Sequence, residues 1–140
     1  MKKILLPFDG SESAKRAVEH VISLAKETPG TEVHLLHVAD PTQLGTDESF
    51  WNGGTKDKLL SEGARVLEPA KQALTQANVS FQDGVSLGSP GNEIASYARA
   101  HGCTSIVMGT RGMSSIASFF VGSVAHRVMQ FADVPVTLVK

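Results

Sequence analysis

Five short apolar runs alternate along this chain with stretches whose apolar residues recur at helical spacing, and that alternation restricts the fold more than any other feature. Lys3-Ile4-Leu5-Leu6-Pro7-Phe8 is a continuous apolar strand that stops at Asp9-Gly10-Ser11. The spacing of Ala14, Ala17, Val18, Val21, Ile22, Leu24 and Ala25 predicts a helix behind an N-cap at Ser11 or Ser13, stopped by Thr28-Pro29-Gly30. Glu32 to Val38 reads as a second strand. Leu60, Ala64, Leu67, Ala70, Lys71 and Leu74 predict a second helix ending near Asn78, with a kink or a break at Pro69. Val79 to Leu87 alternates like a third strand. Ser89-Pro90 opens a third helix with proline at its first position, Ile94, Ala95, Tyr97 and Ala98 form its apolar side, and Gly102 ends it. Ser105 to Met108 reads as strand four, a helix begins near Gly122, and Pro135 to Val139 reads as strand five.

Strands that are apolar on both faces and separated by helices predict an α/β fold, a parallel sheet covered on either side. At 140 residues, with no repeat and no linker, the chain reads as one domain over 1–140. Residues from Ala39 to about Thr55 read as a long polar loop that carries Trp51, either a lid near a ligand or a segment fixed to the surface. In such sheets ligands bind beyond the C-terminal ends of the strands, where the strand order reverses. Asp9-Gly10-Ser11 follows strand one and Gly109 follows strand four. If those strands are neighbours the two segments flank one crevice; the pattern alone leaves their adjacency open.

Charge and hydropathy exclude several classes. The net charge is −1 and the basic residues are scattered, with Lys2-Lys3 and Lys15-Arg16 the only adjacent pairs, so no field draws the chain to nucleic acid or an anionic membrane. The longest apolar runs are far too short to span a bilayer. Pro7, Asp9 and Gly10 cut the N-terminal run before it could serve as a secretory signal, and a cytoplasmic protein is expected. The single cysteine, Cys103, allows no intramolecular disulfide and reads either as a small buried residue at a helix–strand junction or as a redox sensor. His34 and His37, three apart on a strand, point to opposite faces and cannot chelate one ion together. His126 is an ordinary helical histidine or one that approaches a phosphate.

The common phosphate and nucleophile motifs do not occur: no glycine is followed by lysine, no Gly-x-Gly exists, and there is no Gly-x-Ser-x-Gly. What remains is Gly109-Thr-Arg-Gly112, nine residues, then Gly122-Ser123, set between a buried strand and a helix. Glycines let the backbone turn sharply and approach a ligand closely. A helix that starts on Gly-Ser presents open N–H groups and the positive end of its dipole, which suits a phosphate. The spacing is compatible both with a nucleotide site and with a tight strand-to-helix connection.

On these residues the chain resembles the universal stress protein family, and in particular its nucleotide-binding branch, which carries Gly-x2-Gly-x9-Gly-(Ser/Thr). Gly109, Gly112, Gly122 and Ser123 match every position of that pattern. The likeness extends over the chain: Lys3 to Ser11 resembles the opening strand and turn, Val33 to Val38 the second strand, Gly88-Ser89-Pro90 the third junction and Pro135 to Val139 the final strand. It implies a single-domain, five-stranded parallel sheet of order 3-2-1-4-5, Rossmann-like and akin to the adenine nucleotide alpha hydrolases. It further implies a bound ATP, with Mg²⁺ carried by the phosphates. In that arrangement Pro7 lines the adenine end, Val38 contacts adenine with Met108 nearby, and Asp9 faces the ribose or a phosphate-bound metal. Gly109 and Gly112 bring backbone N–H groups to the ribose and phosphates, and Gly122, Ser123 and Val124 hold the phosphates at the helix start.

The function this implies is a cytoplasmic ATP-binding regulatory protein of the stress response, a homodimer through strand 135–139, with no nucleic acid or membrane partner. Two alternatives belong to other classes: a nucleotide-free dimeric adaptor, and a slow ATPase or autophosphorylating protein. Efficient chemistry is not expected, because no P-loop lysine and no evident general base accompany the γ-phosphate, Asp9 being the one carboxylate placed for such a role.

Overall fold

The computed structural model describes residues 2–44, 53–111 and 121–140. Its strands are β1 (Lys3–Pro7), β2 (Glu32–Ala39), β3 (Phe81–Leu87), β4 (Ser105–Gly109) and β5 (Val136–Val139). Its helices are α1 (Glu12–Glu27), α2 (Gly53–Gln76), α3 (Pro90–Ala100) and α4 (Ser123–Phe131), with a short 3₁₀ turn over Pro41–Leu44. All four strand pairings are parallel and the order is β3-β2-β1-β4-β5. β1 pairs with β2 from Lys3↔Glu32 to Pro7↔Leu36, and with β4 through Ile4↔Ser105 and Leu5↔Ile106.

Strand alternation sends successive side chains into two separate cores. Ile4, Leu6, Phe8, Val33, Leu35 and Val107 meet the buried faces of α1 (Ala14, Ala17, Val18, Val21) and α2 (Leu67, Ala70, Leu74). Leu5, Leu36, Ile106 and Met108 meet Ile94 and Ala98 of α3 and Ala125 and Val128 of α4 on the other side. Both faces are thus covered, which is why the central strands carry no polar alternation. His34 and His37 project to opposite faces, as their spacing predicts: His34 meets Tyr97 of α3, and His37 Nδ1 lies 2.8 Å from the Phe8 carbonyl oxygen.

The turn out of β1 is dictated locally. The Asp9 carboxylate accepts a 2.9 Å hydrogen bond from the Ser11 N–H. Gly10 sits at φ +84°, a conformation that favours glycine. Ser11 then caps α1, its hydroxyl accepting from the Ala14 N–H at 3.2 Å. Of the two serines that could cap this helix, the first does so.

Two expectations need correction. Of the kink or break expected at Pro69, the break does not occur: α2 runs from Gly53 to Gln76, because the buried row Leu67, Ala70 and Leu74 on either side of the proline anchors it to the sheet. The segment from Ala39 to Thr55 is not a single loop: Ala39 completes β2, Pro41–Leu44 is a 3₁₀ turn, and α2 already begins at Gly53. Trp51 lies outside the described residues.

Candidate functional site

The strand order reverses between β1 and β4. The chain leaves β1 toward α1 on one face and returns from β4 to α4 on the other, so the two exits diverge and leave a crevice at the C-terminal ends of these strands. The adjacency that the pattern left open is therefore present. Asp9 follows the end of β1, and Gly109 ends β4.

Four of the expected residues share one face. Met108 is buried in the apolar cluster beneath α3 and α4, and Val38 and Val124 pack half-buried against it. Pro7 is buried, and strand alternation puts it on the side of Leu5, the same face. The ends of β1, β2 and β4 and the start of α4 thereby supply an apolar lining. Beside it, α4 starts on Gly122, whose N–H donates to the Thr110 carbonyl at 2.6 Å. Gly122 makes no side-chain cap, so no N-cap side chain meets the first-turn N–H groups of α4. Ser123, the first helical residue, is exposed. A concavity of about 400 Å³ runs along this helix, lined by Val121, Ser123, His126, Arg127 and Gln130, so His126 faces it one turn beyond Ser123.

Gly109 has a cause that sequence reasoning did not supply. A Cβ there would lie 2.4 Å from Ser13 Oγ and 2.7 Å from the Ala14 nitrogen, so glycine is what lets the first turn of α1 press against the end of β4. From the sequence, Ser13 reads as a cap of this helix. It is 2% exposed, and its hydroxyl donates to the Arg111 carbonyl at 2.8 Å while accepting from the Arg111 N–H at 3.3 Å. A small hydroxyl residue one place beyond the cap, followed by the alanine face of a helix, was the signal available. Gly112 lies outside the described residues.

A polar cluster occupies the opposite end of the sheet. His34 Nδ1 lies 2.9 Å from the Tyr97 hydroxyl, and the Tyr97 ring stacks on His101 at 3.8 Å between centroids. His34 Nε2 is buried without a partner among the described residues. Burial, with the nearby positive charge of Lys3 and with His101, holds His34 below its usual 6.5, against a weaker pull from Glu32. Burial also raises the Tyr97 hydroxyl and the buried Cys103 thiol above their ordinary values. Cys103 stands just after α3, at the helix–strand junction where the sequence put it. No group of three or more His, Cys, Asp or Glu is placed to hold a metal ion among the described residues. No helix of the described residues is long and apolar enough to cross a membrane.

The sequence profile of the universal stress protein family matches residues 1–140. Universal stress protein YxiE of Bacillus subtilis is 30% identical over 146 residues, spanning 99% of this chain and 98% of that one. The solved structure of MJ0577, a universal stress protein of Methanocaldococcus jannaschii, superposes with a TM-score of 0.86 at 33% identity, covering 99% of this chain and 95% of that one. A universal stress protein from Archaeoglobus fulgidus, solved in complex with dAMP, shares the fold with a TM-score of 0.75 at 23% identity, over 100% of this chain and 98% of that one.

Proposed function

The chain belongs to the universal stress protein family, and from that premise we propose that it binds an adenine nucleotide, ATP with Mg²⁺, at the crevice between β1 and β4 and acts as a nucleotide-dependent regulatory protein. One observation carries the reading. The reversal of strand order brings an apolar lining, Pro7, Val38, Met108 and Val124, beside a helix start at Gly122-Ser123 that has no side-chain cap. An adenine needs an apolar slot with few polar groups, and phosphates need N–H donors that nothing else satisfies. Among the described residues an apolar lining and a helix start without an N-cap side chain stand side by side, which supports this reading. The dAMP held by a relative of the same fold is in keeping with this choice of base.

In this reading Val38 and Met108 contact the base and Pro7 closes the adenine end. Asp9, exposed just after β1, faces the ribose or the metal carried by the phosphates. Gly109 and Gly112 let backbone approach the ligand, and Gly122, Ser123 and Val124 hold the phosphates. Mg²⁺ keeps most of its shell as water and phosphate oxygens, the usual arrangement for this ion with nucleotides. Nucleotide binding alters the surface around the start of α4; it can do so only through a difference in affinity between two arrangements of that surface. β5 lies at the sheet edge with β4 as its one partner among the described residues. That apolar edge supports a homodimer formed across β5 of two chains.

Gly122→Val tests the site. Gly122 adopts φ −63° and ψ 159°, a conformation open to any residue, so the backbone itself does not demand glycine. The variant is expected to keep its cooperative unfolding transition and to lose Mg-ATP binding in a calorimetric titration. Undiminished binding would remove the helix start from the site.

A further inference from the structure

We propose that Ser13 is a positioning residue of this site: from the first turn of α1 it grips the backbone of Arg111 and so sets where the α4 N-terminus presents its phosphate-binding groups. The proposal rests on the adenine-nucleotide reading above and adds to it a residue of α1, a helix whose cap and buried face otherwise serve only the fold.

Three successive backbone stations at the end of β4 are held by two elements, the first and third by α1 and the second by β5. Gly109 lies against the first turn of α1, with no space for a Cβ between it and Ser13 Oγ. The Thr110 N–H donates to the Val139 carbonyl of β5 at 2.9 Å, and its carbonyl accepts from the Gly122 N–H at 2.6 Å. The Arg111 N–H and carbonyl, which belong to successive peptide units, are both held by one hydroxyl, which donates to the carbonyl at 2.8 Å and accepts from the N–H at 3.3 Å. A serine hydroxyl has one proton and two lone pairs, so it can make both bonds at once. The contact is buried, with Ser13 at 2% and Thr110 at 7% exposure.

The consequence follows from connectivity. Thr110 is the residue bonded to the N-cap of α4, and Arg111 is its covalent neighbour. The Arg111 N–H shares its peptide unit with the Thr110 carbonyl, so a side chain that fixes this N–H fixes the orientation of that carbonyl and, through it, Gly122. The base contacts at Val38 and Met108 do not depend on this grip, because these residues are held by β2 and β4 themselves; of the lining, only Val124 belongs to α4. Ser13 thus acts on the phosphate half of the ligand and leaves the base half alone. It also accounts for Gly109: a side chain there would collide with the hydroxyl that holds Arg111.

The test is a pair of titrations, Mg-ATP and adenosine, on the full chain and on Ser13→Ala. Each lost hydrogen bond corresponds to about a three- to tenfold change in affinity. Ser13→Ala is expected to weaken ATP by at least that factor and leave adenosine unchanged. Hydrogen exchange at the Arg111 and Gly122 amides, measured without ligand, is expected to accelerate in the variant. Equal ATP affinity in both proteins would overturn the role of Ser13 while leaving the nucleotide reading intact. Parallel weakening of ATP and adenosine would also overturn it, since that is the behaviour of a residue serving only the fold. A parent chain that binds neither ligand would instead sink the nucleotide reading, and this proposal with it. Should Ser13→Ala fail to fold, Ser13→Cys keeps the volume with a weaker donor, and the same split between ATP and adenosine decides.

Discussion

Gly109 and Gly122 occupy one motif for different physical reasons. Gly109 is glycine because α1 leaves no space for a Cβ, with Ser13 Oγ 2.4 Å from where it would stand. Gly122 has dihedrals any residue could adopt, so its lack of a side chain matters for what approaches the helix start. The spacing of the glycines was legible in the sequence, whereas their separate causes were not, because a contact between α1 and the end of β4 joins residues nearly a hundred positions apart. Ser13 escaped for a related reason: a serine at a helix start reads as a cap, and only the fold shows that Ser11 takes that role. His34 shows the same limit. Its face was predictable from strand alternation, but its burial beside Tyr97 and His101 was not.

That burial has a consequence for stability. The groups facing His34 are Lys3 from β1, Glu32 from its own strand, Tyr97 and His101 from α3 and its cap, with Cys103 close by. Unfolded, His34 takes up a proton near 6.5; folded, it does so only at lower pH. Below that value the unfolded chain binds more protons, so stability declines as pH falls and is fully retained above it. Urea midpoints measured from neutral pH down to about pH 5 are expected to fall less steeply for His34→Phe than for the parent. Identical slopes would mean that this histidine titrates alike in both states.

At the scale of elements, the apolar runs located all five strands and the sequence pattern all four helices, with most ends displaced by a residue or two, while α2 begins at Gly53 where a loop to about Thr55 was expected. β1 stops at Pro7 instead of Phe8, and β3 begins at Phe81 instead of Val79. Such shifts follow from hydrogen bonding between neighbours, which a single strand's pattern does not carry. α2 departs furthest: proline weakens a helix locally, but its buried face continues on both sides of Pro69 and outweighs the lost donor. The edge strand β5 carries the element-scale prediction. Its inner side pairs with β4 from Ile106↔Val136 to Gly109↔Val139, and Arg16 of α1 holds the Lys140 carbonyl behind it. The outer edge of Val136–Val139 is apolar apart from Thr137. Light scattering at micromolar concentration is expected to give the mass of two chains, and the mass of one chain would count against pairing through β5.

For the whole molecule, the alternation of strands and helices made the α/β class and the single domain legible, since few other arrangements bury five apolar strands. Strand order was not legible from pattern, because parallel neighbours leave no signature in one sequence; it came with the family resemblance and agrees with the order β3-β2-β1-β4-β5. The finished sheet has two chemically distinct ends. One carries the crevice between β1 and β4, with Asp9, Gly109 and the start of α4. The other carries Lys3, Glu32, His34, Tyr97 and His101. The central claim is that adenine nucleotide binds at the first end. Titration of isotope-labelled protein with Mg-ATP, followed amide by amide in NMR spectra, tests it most directly. The account expects the amides of Gly10, Val38, Gly109, Ser123 and Val124 to shift together and saturate, while those of His34, His101 and Cys103 stay in place. No saturable shift, or shifts centred on His34 and His101, would contradict it.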